Sequence, residues 1–291
     1  MLAIALSLAA ASSFALSSML ISSVSTRMGL FQLARWQMSI AFALTATASI
    51  AIGGWRGLTL TQFGLLSASS ASGIMLASTT FFATIYVTGP RVTAMFFALA
   101  SPFALLLGYL FLGETINATQ GLGIAMIVAG ILFAVAMPEK TADAPPRRVP
   151  LLGVALGLIT AIGQAGGSLF ARPAMASGVD PFTAMAIRSG LGVAFYILLM
   201  AFPFARAARL PGPRAMRDVS LSALFGMFLG MSLMMAALSY GEVGIVTTLS
   251  SMTPILILPM IWATSRRAPG LWAWLGAILA VAGTAVISLA A

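Results

Sequence analysis

The 291 residues include no cysteine, no histidine and only six carboxylates. Thiolate nucleophiles, disulfides and imidazole proton relays therefore lie outside this chain's chemistry. What remains is a set of amides, hydroxyls and rings embedded in long apolar runs. A polar group in such a run needs a partner or a wet cavity. Gln164 stands out, because a full primary amide is hard to leave unsatisfied in an apolar run. Ser168 follows it at i+4, on the same helix face. Ser13 and Ser17 repeat that spacing 151 residues earlier. Thr80, Tyr86, Tyr240, Thr248 and Ser251 add hydroxyls and phenols, and Phe81, beside Phe82, Phe96 and Phe97, offers an apolar wall. These ten residues, from Ser13 to Ser251, are the expected binding set. Small hydroxyls also pack helices against one another, which is the plainer reading of each except Gln164. One amide, several hydroxyls and aromatic rings suit a neutral zwitterion with a sizeable side chain.

Glu114, Glu139, Asp143, Asp180, Asp218 and Glu242 all fall in gaps or at the ends of apolar runs. An intramembrane acid that loads and releases a proton is the usual basis of proton coupling, and no acid lies near a run's centre. Movement of a solute is therefore expected to follow its gradient. Two arginines do lie inside apolar runs, Arg35 and Arg188. Each is expected either to snorkel to a headgroup region or to pair with carbonyls or a solute carboxylate. No metal site, cofactor or catalytic constellation is expected, and the chain is read as a non-enzyme.

The elements that hold these residues follow from composition. Hydrophobic residues make up 60% and charged residues 7%, against roughly 25% charged in a soluble domain. Such a chain cannot cover a water-facing surface, so lipid is its expected solvent. A bilayer core of about 30 Å needs roughly 20 apolar residues in a helix. Ten such runs are expected, at 2–23, 33–52, 63–87, 92–112, 119–137, 150–171, 182–204, 219–240, 243–264 and 271–290. Met1 to Val24 is read as the first span and not as a cleaved leader.

The formal charge of +9 comes from 15 Lys+Arg against 6 Asp+Glu. Gaps after odd-numbered spans carry eleven of the basic residues, and gaps after even-numbered spans carry only Arg56 and Arg172. This is topology signalling and not a nucleic-acid surface. It places the odd gaps in the cytoplasm and both termini in the periplasm.

Two halves are expected: a first five-helix repeat over 1–137, an inter-repeat loop over 138–149, and a second repeat over 150–291. The polar, Pro-rich stretch from Pro138 to Arg148 separates five spans from five. Pro102 and Pro254 lie 152 residues apart, while Gly123 and Gly276, Gly130 and Gly283, and Arg35 and Arg188 each lie 153 apart. One nearly constant offset across several helices marks an internal repeat. With five helices per repeat, the second copy must enter the membrane from the opposite side, an inverted pair of the kind found in secondary transporters. Pro102 and Pro254 break the hydrogen-bond ladder of spans four and nine and are the expected gating hinges.

The segment from Pro102 through Leu112-Gly113-Glu114 and Gln120-Gly121 to Gly130 resembles the span four to five pattern of the drug/metabolite transporter superfamily, EamA type. The second copy departs from it, with Thr264-Ser265-Arg266-Arg267 in place of Leu-Gly-Glu. Within that superfamily the chain looks most like YddG-type exporters of aromatic and other neutral amino acids. The resemblance implies a multi-pass protein of the bacterial inner membrane. It implies a central cavity open to each side in turn, a small-molecule substrate and function as a monomer. Relatives exporting drugs, nucleosides or sugars have the same layout, and remain the alternative reading.

Overall fold

The computed structural model describes residues 1–24, 27–88, 93, 96–136, 150–206, 210–253, 255–256, 259–260 and 271–289. Its described residues form ten helical segments. They are α1 (Leu2–Val24), α2 (Leu30–Ile52), α3 (Leu60–Thr88), α4 (Phe96–Leu112), α5 (Ala118–Ala136), α6 (Leu151–Ala176), α7 (Pro181–Leu199), α8 (Pro213–Tyr240), α9 (Val243–Ser250) and α10 (Leu271–Leu289). Helices α1, α3, α6, α7 and α8 are long and apolar enough to span a bilayer on their own. The chain is an all-α integral membrane protein.

Local chemistry explains where several helices begin and end. Thr59 and Gln62 form a reciprocal capping box at the start of α3. Asp180 caps α7 by accepting from the Phe182 and Thr183 amides, with Pro181 in the first turn. Gly53 and Gly113 close α2 and α4 in the left-handed region, at φ 70° and 65°, where a Cβ would be strained.

Three boundaries differ from the sequence expectation. Helix α6 runs on to Ala176, so Arg172 belongs to its last turns and not to a gap. Helix α7 stops at Leu199 and a turn with a short 3-10 helix follows. Helix α8 starts at Pro213, which suits a first helical turn because its missing N–H is not needed there. Apolar run length alone misses these polar helical ends.

The two repeats interdigitate instead of standing apart. Helix α5 packs on α10, α2 on α7, α3 on α6, α1 on α8 and α4 on α9. Exchanging each helix with its counterpart five places on leaves that pattern unchanged, as a two-fold axis requires. The contacts also run antiparallel. A Cβ on Gly123 would lie 2.7 Å from the Gly283 carbonyl oxygen, and one on Gly130 would lie 2.5 Å from that of Gly276. Each pair is thus the other's image under the repeat offset, with α5 and α10 crossing at backbone contact. Between α2 and α7, Thr45 meets Ser189 at 3.3 Å and Ser49 meets Thr183 at 2.6 Å, again in opposite directions. The fold is two inverted five-helix repeats.

Irregularities recur at matched places. A π-helical segment, Ala71–Leu76, interrupts α3, and another, Ala223–Gly230, interrupts α8. Near Pro102 the Leu99 amide bonds back to Phe96 at 3.0 Å, a tight turn within α4. After α9 the Met252 amide bonds to Leu249 at 3.2 Å in the same way. Pro102 is exposed, whereas Pro254, the second expected hinge, lies outside the described residues. The expected inter-repeat loop, 138–149, lies outside them too.

Candidate functional site

The interior of the bundle carries its strongest polar groups where α6, α7 and α8 meet. Gln164, midway along α6, is 5% exposed. Its amide nitrogen donates to the Met234 sulfur at 3.9 Å, a weak acceptor. Ser168, one turn on, donates to the Gln164 backbone carbonyl at 3.2 Å and is buried. From α7, the Arg188 side chain is 1% exposed and donates to the Met235 sulfur at 3.2 Å. Consecutive methionines of α8 thus face the amide and the guanidinium.

Burial of Arg188 rules out the snorkelling alternative for it. Helix α3 closes over this part of α7, and the Ser70 hydroxyl donates to the Arg188 carbonyl at 2.7 Å. The repeat counterpart, Arg35, is only partly buried, with its Nη1 enclosed and unpartnered.

Helix α3 is fastened to α6 by serines in and just before its π-helical stretch. Ser69 and Ser72 donate to the Gly167 and Gly163 carbonyls. Thr80 accepts from Thr160 of α6 at 2.8 Å while donating to its own helix. Phe81, half-buried, meets Phe82 and Phe97 edge-on with ring centroids 5.8 and 5.6 Å away. Tyr86 is exposed and its phenol donates to the Met28 carbonyl. Gln164 and Ser168 are thus together on α6, with Thr80 nearby through Thr160.

The remaining expected residues lie on other helices. Ser17 of α1 is buried and donates to the Ser222 carbonyl of α8 at 2.9 Å. Ser13 is half-buried on the same helix. Thr248 is fully buried, shares a hydrogen bond with Ser101 of α4 and donates to the Gly244 carbonyl. Ser251 donates to the Thr247 carbonyl at 2.8 Å. Tyr240, at the end of α8, is 65% exposed. It lines a pocket of about 440 Å³ between the α6–α7 turn and α8, together with Met175, Asp180, Ala236 and Ser239.

At the bundle end that carries both chain termini, three charged groups close around the start of α9. The Glu114 carboxylate accepts from the Val243 amide at 3.0 and 2.9 Å and pairs with Arg172 at 3.7 Å. It therefore caps a helix of the opposite repeat. A Cβ on Gly108 would lie 2.6 Å from its Oε2, so the glycine leaves room for the carboxylate. Burial raises the Glu114 carboxyl above its ordinary range, against the lowering pull of the Val243 amide and of Arg172. Burial and the neighbouring Glu114 charge raise Glu242. Reading single helices could not find this cap, because Glu114 and Val243 are 129 positions apart.

Ten helices in two inverted repeats, with a polar seam inside an apolar bundle, define a multi-pass membrane protein of secondary-transporter architecture. The model of the EamA-like transporter family matches residues 1–136 and 151–289, and the chain belongs to that family. No curated protein gives a match. One crystal structure of a protein is similar in fold, with TM-score 0.80, 17% identity, and coverage of 99% of this chain and 97% of that one.

Proposed function

We propose that the protein exports small neutral or zwitterionic metabolites, foremost aromatic and other neutral amino acids in the manner of YddG-type exporters, across the bacterial inner membrane. The observation that carries this reading is the Gln164 amide, buried in α6 with only a thioether facing its donor. A solute with hydrogen-bonding groups is a better partner than sulfur. In this mechanism Gln164, with Ser168 and Ser13, holds the polar end of the solute, and Phe81 with its ring neighbours holds the side chain. Thr80, Tyr86, Ser17, Thr248 and Ser251 border the route on α3, α1 and α9, and Tyr240 marks its mouth. The interdigitated repeats 1–137 and 150–291, joined by the loop 138–149, open the site to each side in turn, and bending at Pro102 and Pro254 opens one end at a time. Export runs down the solute gradient, carried out by a monomer without a cofactor or a covalent step.

Uptake into liposomes reconstituted with the protein tests this, using a panel of amino acids with and without a pH gradient. Saturable movement of neutral amino acids that persists without the gradient is the expected result. Movement that stops when the gradient is abolished rejects the facilitator. Movement of drugs, nucleosides or sugars in place of amino acids favours the other branch of the superfamily.

A further inference from the structure

Among the described residues, Arg188 is a cation without a counter-charge inside the bundle. Its side chain is 1% exposed. Nη1 meets only sulfur, Met185 at 3.6 Å and Met235 at 3.2 Å, and Nε is buried without a partner. Among the described residues the ion pairs involve Arg27, Arg172 and Arg217, and none reaches Arg188. A guanidinium stays charged, and thioethers are weak acceptors. An unpaired buried charge is strongly unfavourable. Packing alone therefore gives no reason for an arginine at this position.

We propose that Arg188 is the anchor for the carboxylate of the transported solute, an inference that rests on the transporter reading above. The walls around it fit that role. A Cβ on Gly73, in the π-helical stretch of α3, would lie 2.8 Å from Nη2 and 3.2 Å from the Gly167 Cα. No side chain of α3 therefore separates its backbone from the guanidinium at that point. On the other side stand Met185 and Met235, unbranched side chains with three rotatable bonds that repack readily. When the thioethers swing away, the planar guanidinium accepts a carboxylate through two parallel charge-assisted bonds. Gln164 is held in the same manner by the adjacent Met234, so one displacement of this α8 segment uncovers both groups. The guanidinium then takes the acid end of a zwitterion and the amide takes the rest of its polar groups.

The test separates the anchor from the identity of the solute. Thermal unfolding of the purified protein is followed with phenylacetate and with its neutral isostere phenylacetamide. Phenylacetate is expected to raise Tm saturably and phenylacetamide is not. The Arg188→Met variant is expected to unfold no lower than the parent without ligand, yet to lose the phenylacetate response. Arg188→Lys keeps a response weakened by at least about tenfold in affinity, because an ammonium lacks the bidentate fork. Gly73→Ala keeps the cation but crowds Nη2, and its affinity for phenylacetate is expected to fall, which preserves the test should Arg188→Met not fold. An unaltered response in Arg188→Met or in Gly73→Ala overturns the anchor, as does an unresponsive parent. Liposomes that move no amino acid, made with a parent that responds to phenylacetate, would end the amino-acid reading and leave the anchor standing. Amino-acid transport undiminished by Arg188→Met would do the reverse.

Discussion

A primary amide held only by sulfur is a poor structural element and a good ligand. Gln164→Leu keeps the volume of the side chain and removes its polarity. A hydrogen bond to a charged group is worth roughly 1.5–3 kcal/mol, or on the order of 10–100-fold in binding. The variant is expected to retain the parent's melting temperature or exceed it, and to lose transport by that factor. Initial rates in liposomes together with a melting curve decide it, and an unchanged rate removes Gln164 from the site. Gln164 was legible in the sequence because an amide in an apolar run is conspicuous. Serines and threonines were not separable by the same means, since a hydroxyl that packs and a hydroxyl that binds have one sequence signature. Ser17 and Thr248 show why: each already bonds across to a neighbouring helix. The state of Arg188 was hidden for another reason. Whether it snorkels depends on α3 closing over α7, and no feature of α7 alone reports that.

Helices meet here through glycine and through long-range caps, and both make predictions. Gly130 lies against the Gly276 carbonyl, with the Ala280 amide 2.8 Å from an added Cβ. Both atoms are backbone and cannot swing aside. Gly130→Val is therefore expected to destabilise the α5–α10 contact by roughly 1–3 kcal/mol, read as a lowered Tm in detergent. The same substitution at Gly121, where a Cβ meets nothing within 4 Å, is the control. The Glu114 cap carries a pH dependence. Burial holds its carboxyl and that of Glu242 above their ordinary range. The folded chain thus binds protons at pH values where the unfolded chain has released them, so stability falls with rising pH. This contribution is complete below the unfolded pKa and is lost as pH rises through the raised values. Glu242→Gln is expected to flatten the decline in Tm as pH rises above the ordinary carboxylate range. A slope equal to the parent's would show that Glu242 does not titrate there. Apolar runs marked the helices, and Pro102 marked a break in the ladder of α4. Sequence pattern could not give the π-helical stretches of α3 and α8, whose Gly73 and Gly226 lie against Gly167 and Ser17.

At the scale of the molecule, a dyad relates helices that the sequence relates only by an offset of about 153. The offset was legible because glycines at crossings and arginines inside spans are few enough to align. The pairing of α3 with α6 and of α1 with α8 was not, because an offset relates positions along the chain and does not say which helices touch. Interdigitation means that neither half buries its own polar seam, and the proposed mechanism has Gln164 exposed to one end of the bundle at a time. Which end faces the cytoplasm follows from charge. Among the described residues, Arg27, Arg206, Arg214 and Arg217 lie at the end opposite the termini, and Arg56 and Arg172 at the terminal end. Positive residues are retained on the cytoplasmic side, so the termini are expected outside. A chain with no cysteine allows the test without background mutations. Ser239→Cys, in the pocket beside Tyr240, is expected to react with a membrane-impermeant maleimide in spheroplasts. Leu210→Cys, exposed near the opposite end, is expected to react only after the membrane is opened. The reverse pattern would invert the protein and turn the proposed export route around. In the expected orientation the Glu114–Arg172–Val243 closure faces the periplasm, so added carboxylate solute should lower Ser239→Cys reactivity if it holds that end shut and raise it if it opens the end for release. Either change demonstrates coupling between the site and the closure, and reactivity indifferent to solute would uncouple the two.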